Sequence, residues 1–380
     1  MSTILFVTVD AGGNVPPAIA IGRELLTRGH RVRFLGHERQ RVSLQNAGFE
    51  FTAFRRMPHW EPTRGKSVPR AIADLLHIST NPGLGQDLID LINEDPADLI
   101  VIDCMLLSVL KAANTAGHKH AVLFHTYYKF WTRDWVKGPI GGLARLKGLN
   151  ARTLWAQADL ELVVSDQTLD PAGKSASPNR VWSGVVEHGT PRAVDPTAQP
   201  LVLVSLSTIS WPGQDDAYRH ILTALANLPL RAIVTTGPAM DPDELSAPPN
   251  VEVLAFARHD KIMSTATAVI GHGGHSTTMA ALAHDLPLII MPMHPAIDQP
   301  IIARTVADAG AGIRLSRKAS PEDIARALTT LLETESFAAA AAVIGQRLRA
   351  GDGARVAADR LLEILGARAH DADVVPVQLD

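Results

Sequence analysis

The sequence predicts an α/β protein made of two doubly wound, Rossmann-like halves that face each other across a cleft. Three observations lead there. Strand-like and helix-like stretches alternate through the chain, the pattern of parallel sheets covered by helices on both faces. The segment EHGTPRAVDPTAQP, Glu187 to Pro200, breaks that pattern with three prolines and no periodicity, as a linker does. A fresh alternation then begins at Leu201, and 380 residues exceed what one ordinary core needs. The expected units are residues 1–186, a linker 187–200, and residues 201–380.

In the first half, Ile4–Val9 is apolar and rich in β-branched residues, as a central strand is. Pro16 and Pro17 open a helix in which Ala18, Ile21 and Leu25 recur at helical spacing, and Gly29 is its expected stop. Arg31–Leu35, Leu99–Asp103, Ala121–Phe124 and Leu160–Ser165 are the following strands, with a helix from about Leu106 to Ala116 between two of them. In the second half, strands are expected at Leu201–Leu206, Arg231–Thr235, Val251–Leu254, Ala266–Gly271 and Leu286–Met291. A last helix covers roughly Val356–Leu365, and the chain after Gly366 reads as a loose tail.

Composition excludes several classes. A formal net charge of −3 with no Lys/Arg run gives no footprint for nucleic acid. The single cysteine, Cys104, rules out an internal disulfide framework and a cysteine-based zinc site. The start, MSTILFVTVDAGG, lacks a basic region and reads as a buried strand rather than a signal peptide. No apolar run approaches the ~20 residues that span a bilayer. The expectation is a cytoplasmic protein, monomer or homodimer, without metal or cofactor.

The most informative stretch is Gly271–Gly312. A strand leads into His272-Gly273-Gly274, and a helix opens at Ser276 and Thr277. Free backbone N–H groups and a partial positive charge at a helix start suit a phosphate. Asp298-Gln299, before a further helix, supplies an acid and an amide for neutral hydroxyls. Phosphate at one end and hydroxyls at the other describe a nucleotide-sugar. The G-x-G-x-x-G pattern of a dinucleotide dehydrogenase is absent after the first strand, where the chain reads DAGGNVPP.

This order of motifs resembles the donor site of the GT-B-fold glycosyltransferases of family GT1, in particular the bacterial natural-product and macrolide enzymes. The resemblance implies two Rossmann-like domains and a final helix that crosses back onto the first. It implies an inverting transfer of a hexose from a UDP- or dTDP-sugar to a small acceptor. On that likeness His272 donates to the diphosphate beside Gly274, Ser276 and Thr277, while Asp298 and Gln299 grip the sugar. Ser207 and Thr208, then Thr236 and Gly237, end neighbouring strands as further phosphate-side contacts. Phe256 and Ala257 fall where relatives hold the base, although Arg258-His259 departs from the usual Pro-Gln.

Relatives carry a basic His in the first loop, partnered by an Asp after a later strand. Here Asn14 stands at the His position, whereas Asp103 matches the Asp. An amide cannot take a proton near neutral pH. Both residues could equally be helix caps. Three accounts stay open: Asp103, Asp10 or His125 acts as base; the acceptor ionises unaided; or the chain binds without catalysing. The segment FHTYYKFWTRDW, from Phe124 to Trp135, holds six of the eighteen aromatic residues. Together with Trp60 in the loop Arg55–Arg64, its Phe124, Tyr127, Tyr128 and Trp131 suggest a planar acceptor such as a polyketide or a phenol. O-linkage is the default and C-linkage is conceivable. The alternatives are a UDP-sugar epimerase and a non-catalytic nucleotide-sugar-binding relative.

Overall fold

A computed structural model describes residues 1–61, 66–192, 197–207 and 209–371. Part of the expected linker, Thr208, part of the loop Arg55–Arg64 and the end of the tail lie outside the described residues.

Two parallel sheets form the scaffold. The first contains β1 (Thr3–Val7), β2 (Arg31–Gly36), β3 (Glu50–Ala53), β4 (Leu99–Asp103), β5 (His120–Phe124), β6 (Leu160–Val163) and β7 (Arg180–Trp182). Their spatial order is β3-β2-β1-β4-β5-β6-β7. The second contains β8 (Leu201–Ser205), β9 (Arg231–Thr235), β10 (Val251–Leu254), β11 (Ala268–Gly271), β12 (Leu288–Ile290) and β13 (Gly312–Arg314), ordered β10-β9-β8-β11-β12-β13. In register, Ile4 lies between Val32 and Leu99, and Ala268 pairs with Val202.

The physical reason for parallel strands is visible in their burial. Leu99–Asp103 is buried at every position, so both faces are covered by helices and no polar-out alternation survives. Ile4 and Phe6 pack on one side against Ala18, Ile21 and Leu361, while Leu5 and Val7 join Ile100 and Ile102 on the other. The helix Val15–Thr27 begins with prolines in its first turn. It closes where Gly29 adopts φ +81 and the His30 N–H reaches back to the Leu25 carbonyl.

The final helix, Gly353–Asp371, runs past the expected end at Leu365 and lies against the first sheet's helix Val15–Thr27, with Arg28 and Asp359 2.6 Å apart. The stretch expected to be a loose tail is therefore helical to Asp371.

Strand order reverses on either side of β1 in one sheet and of β8 in the other. Loops leaving neighbouring strands part in opposite directions there, and ligands bind in the crevice that results. The loop after β1 carries Asn14 and the end of β4 carries Asp103; the loops after β8 and β11 carry Ser207 and His272. Both sequence-selected motifs thus lie at switch points.

Candidate functional site

One cavity of about 770 Å³ is lined by residues from the carboxyl ends of both sheets. Its second-half wall is polar and built on turns. After β11, Gly273 has φ +87, and a Cβ there would come within 2.9 Å of Ile290 Cγ2 and 3.0 Å of the Gln299 carbonyl. A Cβ on Gly274 would come 2.5 Å from His272 Nε2, so this glycine makes room for the imidazole. The helix starts one residue earlier than expected, at His275, and no described side chain caps it. Its first-turn N–H groups, with Ser276 and Thr277 on the cavity wall, suit an anion.

Burial pushes the His272 imidazole down to about 4 and that of His275 to about 3, so both are neutral near pH 7. His275 does more than line the wall. Its Nε2 is 2.9 Å from Ser165 Oγ after β6, and its ring meets Tyr127 edge-on, which ties the two halves together. Arg347 pairs with Asp166 at 3.0 Å beside the same junction. Burial pushes the Glu187 carboxyl upward, and the nearby Ser276 hydroxyl acts in the opposite sense.

Asp298 and Gln299 begin the helix Gln299–Asp308 and both line the cavity. Gln299 Oε1 accepts from the Met293 and His294 N–H groups at 2.7 and 3.1 Å. The oxygen is thereby committed, and the amide nitrogen is the group left to meet a ligand. Burial raises the Asp298 carboxyl, while the Thr126 hydroxyl and His125 beside it act in the opposite sense. Ser207, Gly237, Phe256 and Ala257 line the cavity, with Phe256 81% exposed at its mouth.

Thr236 does not reach the cavity. It is fully buried, with its hydroxyl 3.3 Å from the Gly237 carbonyl, and the preceding Thr235 lines the wall in its place. Period-2 alternation at the end of β9 explains the exchange. Thr235 Oγ1 lies 3.0 Å from His259 Nε2. Sequence reasoning also missed Trp211, whose ring lies 5.2 Å from that of His294 and whose Nε1 donates to Ser207 Oγ at 3.1 Å.

The first-half wall is rich in aromatic and aliphatic side chains. Trp60 lines it, with its indole N–H donating to the Asp10 carbonyl and Lys66 Nζ 4.9 Å from its ring centroid. Ile72 and Leu75 come from the helix Val68–Thr80, and Met105 from the loop after β4. A π-helical turn, Phe130–Trp135, turns Phe130, Trp131 and Trp135 into the cavity. Such turns recur at functional sites.

Three expected acceptor residues lie elsewhere. Phe124 is fully buried in the core between Trp155 and Tyr128. Tyr127 is fully buried and its hydroxyl accepts from Thr305 at 3.1 Å. Tyr128 donates to Glu161 at 2.9 Å under the Arg180 guanidinium. Aromatic content marked the right segment, but the π-helical turn decides which rings face inward. Phe130 and Trp135 were the ones overlooked.

The three candidate bases and Asn14 separate clearly. Asp10 does not line the cavity, and its carboxylate lies 3.6 Å from Arg39. Asn14 and Asp103 are each 1% exposed and also do not line it. His125 does line it, and its Nδ1 is 3.5 Å from Asp103 Oδ2. Among the described residues, the groups close enough to share a metal ion are Asp103, Cys104 and His125. Burial pushes the Cys104 thiol well up, so it holds its proton and is a poor ligand.

Comparison with known proteins agrees with this fold. Residues 219–361 match the family described as erythromycin biosynthesis protein CIII-like, C-terminal domain. The 4'-demethylrebeccamycin synthase of Lentzea aerocolonigenes is 24% identical, over 92% of this chain and 96% of that one. The calicheamicin glycosyltransferase CalG4 superposes with a TM-score of 0.76 at 19% identity, covering 99% of this chain and all (100%) of that one. Spinosyn rhamnosyltransferase SpnG complexed with thymidine diphosphate gives 0.72 at 19% identity, covering 96% and 100%. Among the described residues, no single helix is long and apolar enough to cross a membrane.

Proposed function

For a chain that is a GT-B glycosyltransferase of the GT1 natural-product type, we propose an inverting transfer of a hexose from a dTDP- or UDP-sugar to a planar, largely apolar small molecule through oxygen. The observation that carries this reading is one cavity shared by both halves. It joins an uncapped helix end and the Asp298-Gln299 pair to a box of Trp60, Phe130, Trp131 and Trp135.

The leaving diphosphate is stabilised by the N–H groups at the start of helix His275–Ala283, by the Ser276 and Thr277 hydroxyls and by neutral His272. These groups take up its charge without a metal or cofactor. Asp298 and the Gln299 amide nitrogen hold the sugar hydroxyls, and Phe256 stacks on the base at the mouth. The acceptor lies in the aromatic box and attacks the anomeric carbon from the face opposite the diphosphate. The thymidine diphosphate bound in SpnG supports a dTDP donor. An epimerase has no use for the aromatic box, which disfavours that alternative. The enzyme is proposed to work in the cytoplasm on these two substrates alone.

Incubation with dTDP-glucose, UDP-glucose and a phenol panel, followed by mass spectrometry, tests this. A hexosylated phenol is expected. An epimerised donor, or binding with no product from any pair, would contradict the reading.

A further inference from the structure

Asn14 stands where the resembling family has its basic histidine, and its contacts say what that side chain does here. Asn14 Nδ2 donates to the Val9 carbonyl at 2.7 Å and to Asp103 Oδ2 at 2.8 Å, while its Oδ1 accepts from the Ala11 N–H at 3.1 Å. Every polar atom of this side chain is engaged. It is a brace between the loop after β1 and the end of β4. Asp103 is held from two sides, since Oδ1 also accepts from the Met105 N–H at 2.9 Å. The oxygen that Asn14 fixes is the one 3.5 Å from His125 Nδ1.

His125 follows β5, the strand beside β4, and among the described residues it is the only histidine of the first half that lines the cavity. Its Nδ1 is buried and makes no hydrogen bond, with Asp103 Oδ2 3.5 Å away, and Trp131 meets its ring edge-on at 5.2 Å. A carboxylate behind Nδ1 favours the tautomer with the proton on that nitrogen, which leaves the Nε2 lone pair for a substrate proton. Catalytic hydrogen bonds are often long before substrate binds, so 3.5 Å is a workable resting distance.

Resting on the glycosyl-transfer reading, we propose that His125 is the general base, that Asp103 orients it, and that Asn14 is a positioning residue that fixes Asp103. The acceptor O–H proton passes to His125 Nε2 as the oxygen lone pair attacks the anomeric carbon. The bond from that carbon to the diphosphate oxygen breaks, and its electron pair leaves with the diphosphate. The imidazolium then returns its proton to water. The titratable groups facing His125 are Asp103 and Cys104 from β4 and its loop, Asp298 from the helix Gln299–Asp308, and His275 from the neighbouring helix.

The test is a series of phenols of graded acidity, from 4-methylphenol to 4-nitrophenol, with dTDP-glucose or UDP-glucose. In His125→Gln, kcat for 4-methylphenol should fall roughly 10²–10⁴-fold, whereas 4-nitrophenol, largely ionised at pH 8, should lose far less. Asp103→Asn and Asn14→Ala should show smaller losses graded the same way, in kcat and not in donor KM. Equal losses across the series would overturn the assignment. Wild-type protein with ¹⁵N-labelled histidine gives an independent reading: the Nδ1–H tautomer at His125 is expected, and the Nε2–H tautomer overturns it. Failure of wild-type protein to glycosylate any phenol would instead overturn the underlying reading of function, and the base with it.

Discussion

The two switch points share one geometry and have been filled by different means. Beside β8 and β11, the proposed donor site rests on backbone: a glycine turn at positive φ, a close approach at Gly274 and an uncapped helix end. Beside β1 and β4 it rests on side chains braced against each other, Asn14 to Asp103 and Asp103 toward His125. A backbone site tolerates few substitutions because its atoms have no alternatives. A side-chain site can shift its chemistry to a neighbouring strand while the loops keep their course. On the sequence resemblance, the second site keeps the family's donor motif, whereas the first carries Asn14 in place of its histidine.

The sharpest way to break this contrast is Gly273→Ala. Its positive φ and the clash with Ile290 and Gln299 imply a loss of roughly 1–3 kcal/mol of stability, with nucleotide binding lost as the turn moves. Urea denaturation and calorimetry with dTDP check it, and unaltered binding would remove the turn from the site. Gln299→Ala comes next. The loss of two loop hydrogen bonds and of the proposed sugar contact should weaken dTDP-glucose by roughly 10- to 100-fold and dTDP itself much less. Equal weakening of both would confine Gln299 to holding its loop.

On the side-chain wall, Trp131→Ala should raise acceptor KM about tenfold through lost ring contact. Steady-state kinetics should then show Tyr128→Phe leaving acceptor KM unchanged, since that ring faces Glu161 and Arg180.

The smallest effect concerns pH. His272 and His275 sit at about 4 and about 3 in the folded chain, below the ordinary 6.5. Above 6.5 they are neutral in both states and the shift is silent. As pH falls from 6.5 toward 4, the unfolded chain takes up protons that the folded chain refuses, so stability declines. Half-buried Asp298 and Glu187 have raised values and act with the opposite sign, favouring the folded state as they protonate. Thermal melts of wild type and His275→Gln across this range isolate the histidine, and the variant should lose less on acidification.

Legibility in the sequence followed the same divide. Strands such as Leu99–Asp103 and the turn at His272–Gly274 could be read directly, because burial on both faces and glycine at positive φ impose residue types. Side-chain direction was harder to read. Thr235 rather than Thr236 faces the cavity, and Phe130 and Trp135 rather than Phe124, Tyr127 and Tyr128 line it. A single-residue register and a π-helical turn decide those cases, and neither leaves a mark in composition. The bond from Asn14 to Asp103 spans 89 positions, beyond the reach of any local pattern.

The most direct measurement of the central claim is a crystal structure with an intact dTDP-sugar bound. The account predicts the diphosphate on the N–H groups at the start of helix His275–Ala283, with the hexose between Asp298-Gln299 and His125. A diphosphate bound anywhere else in the cavity, or a sugar directed away from the tryptophan box, would contradict it.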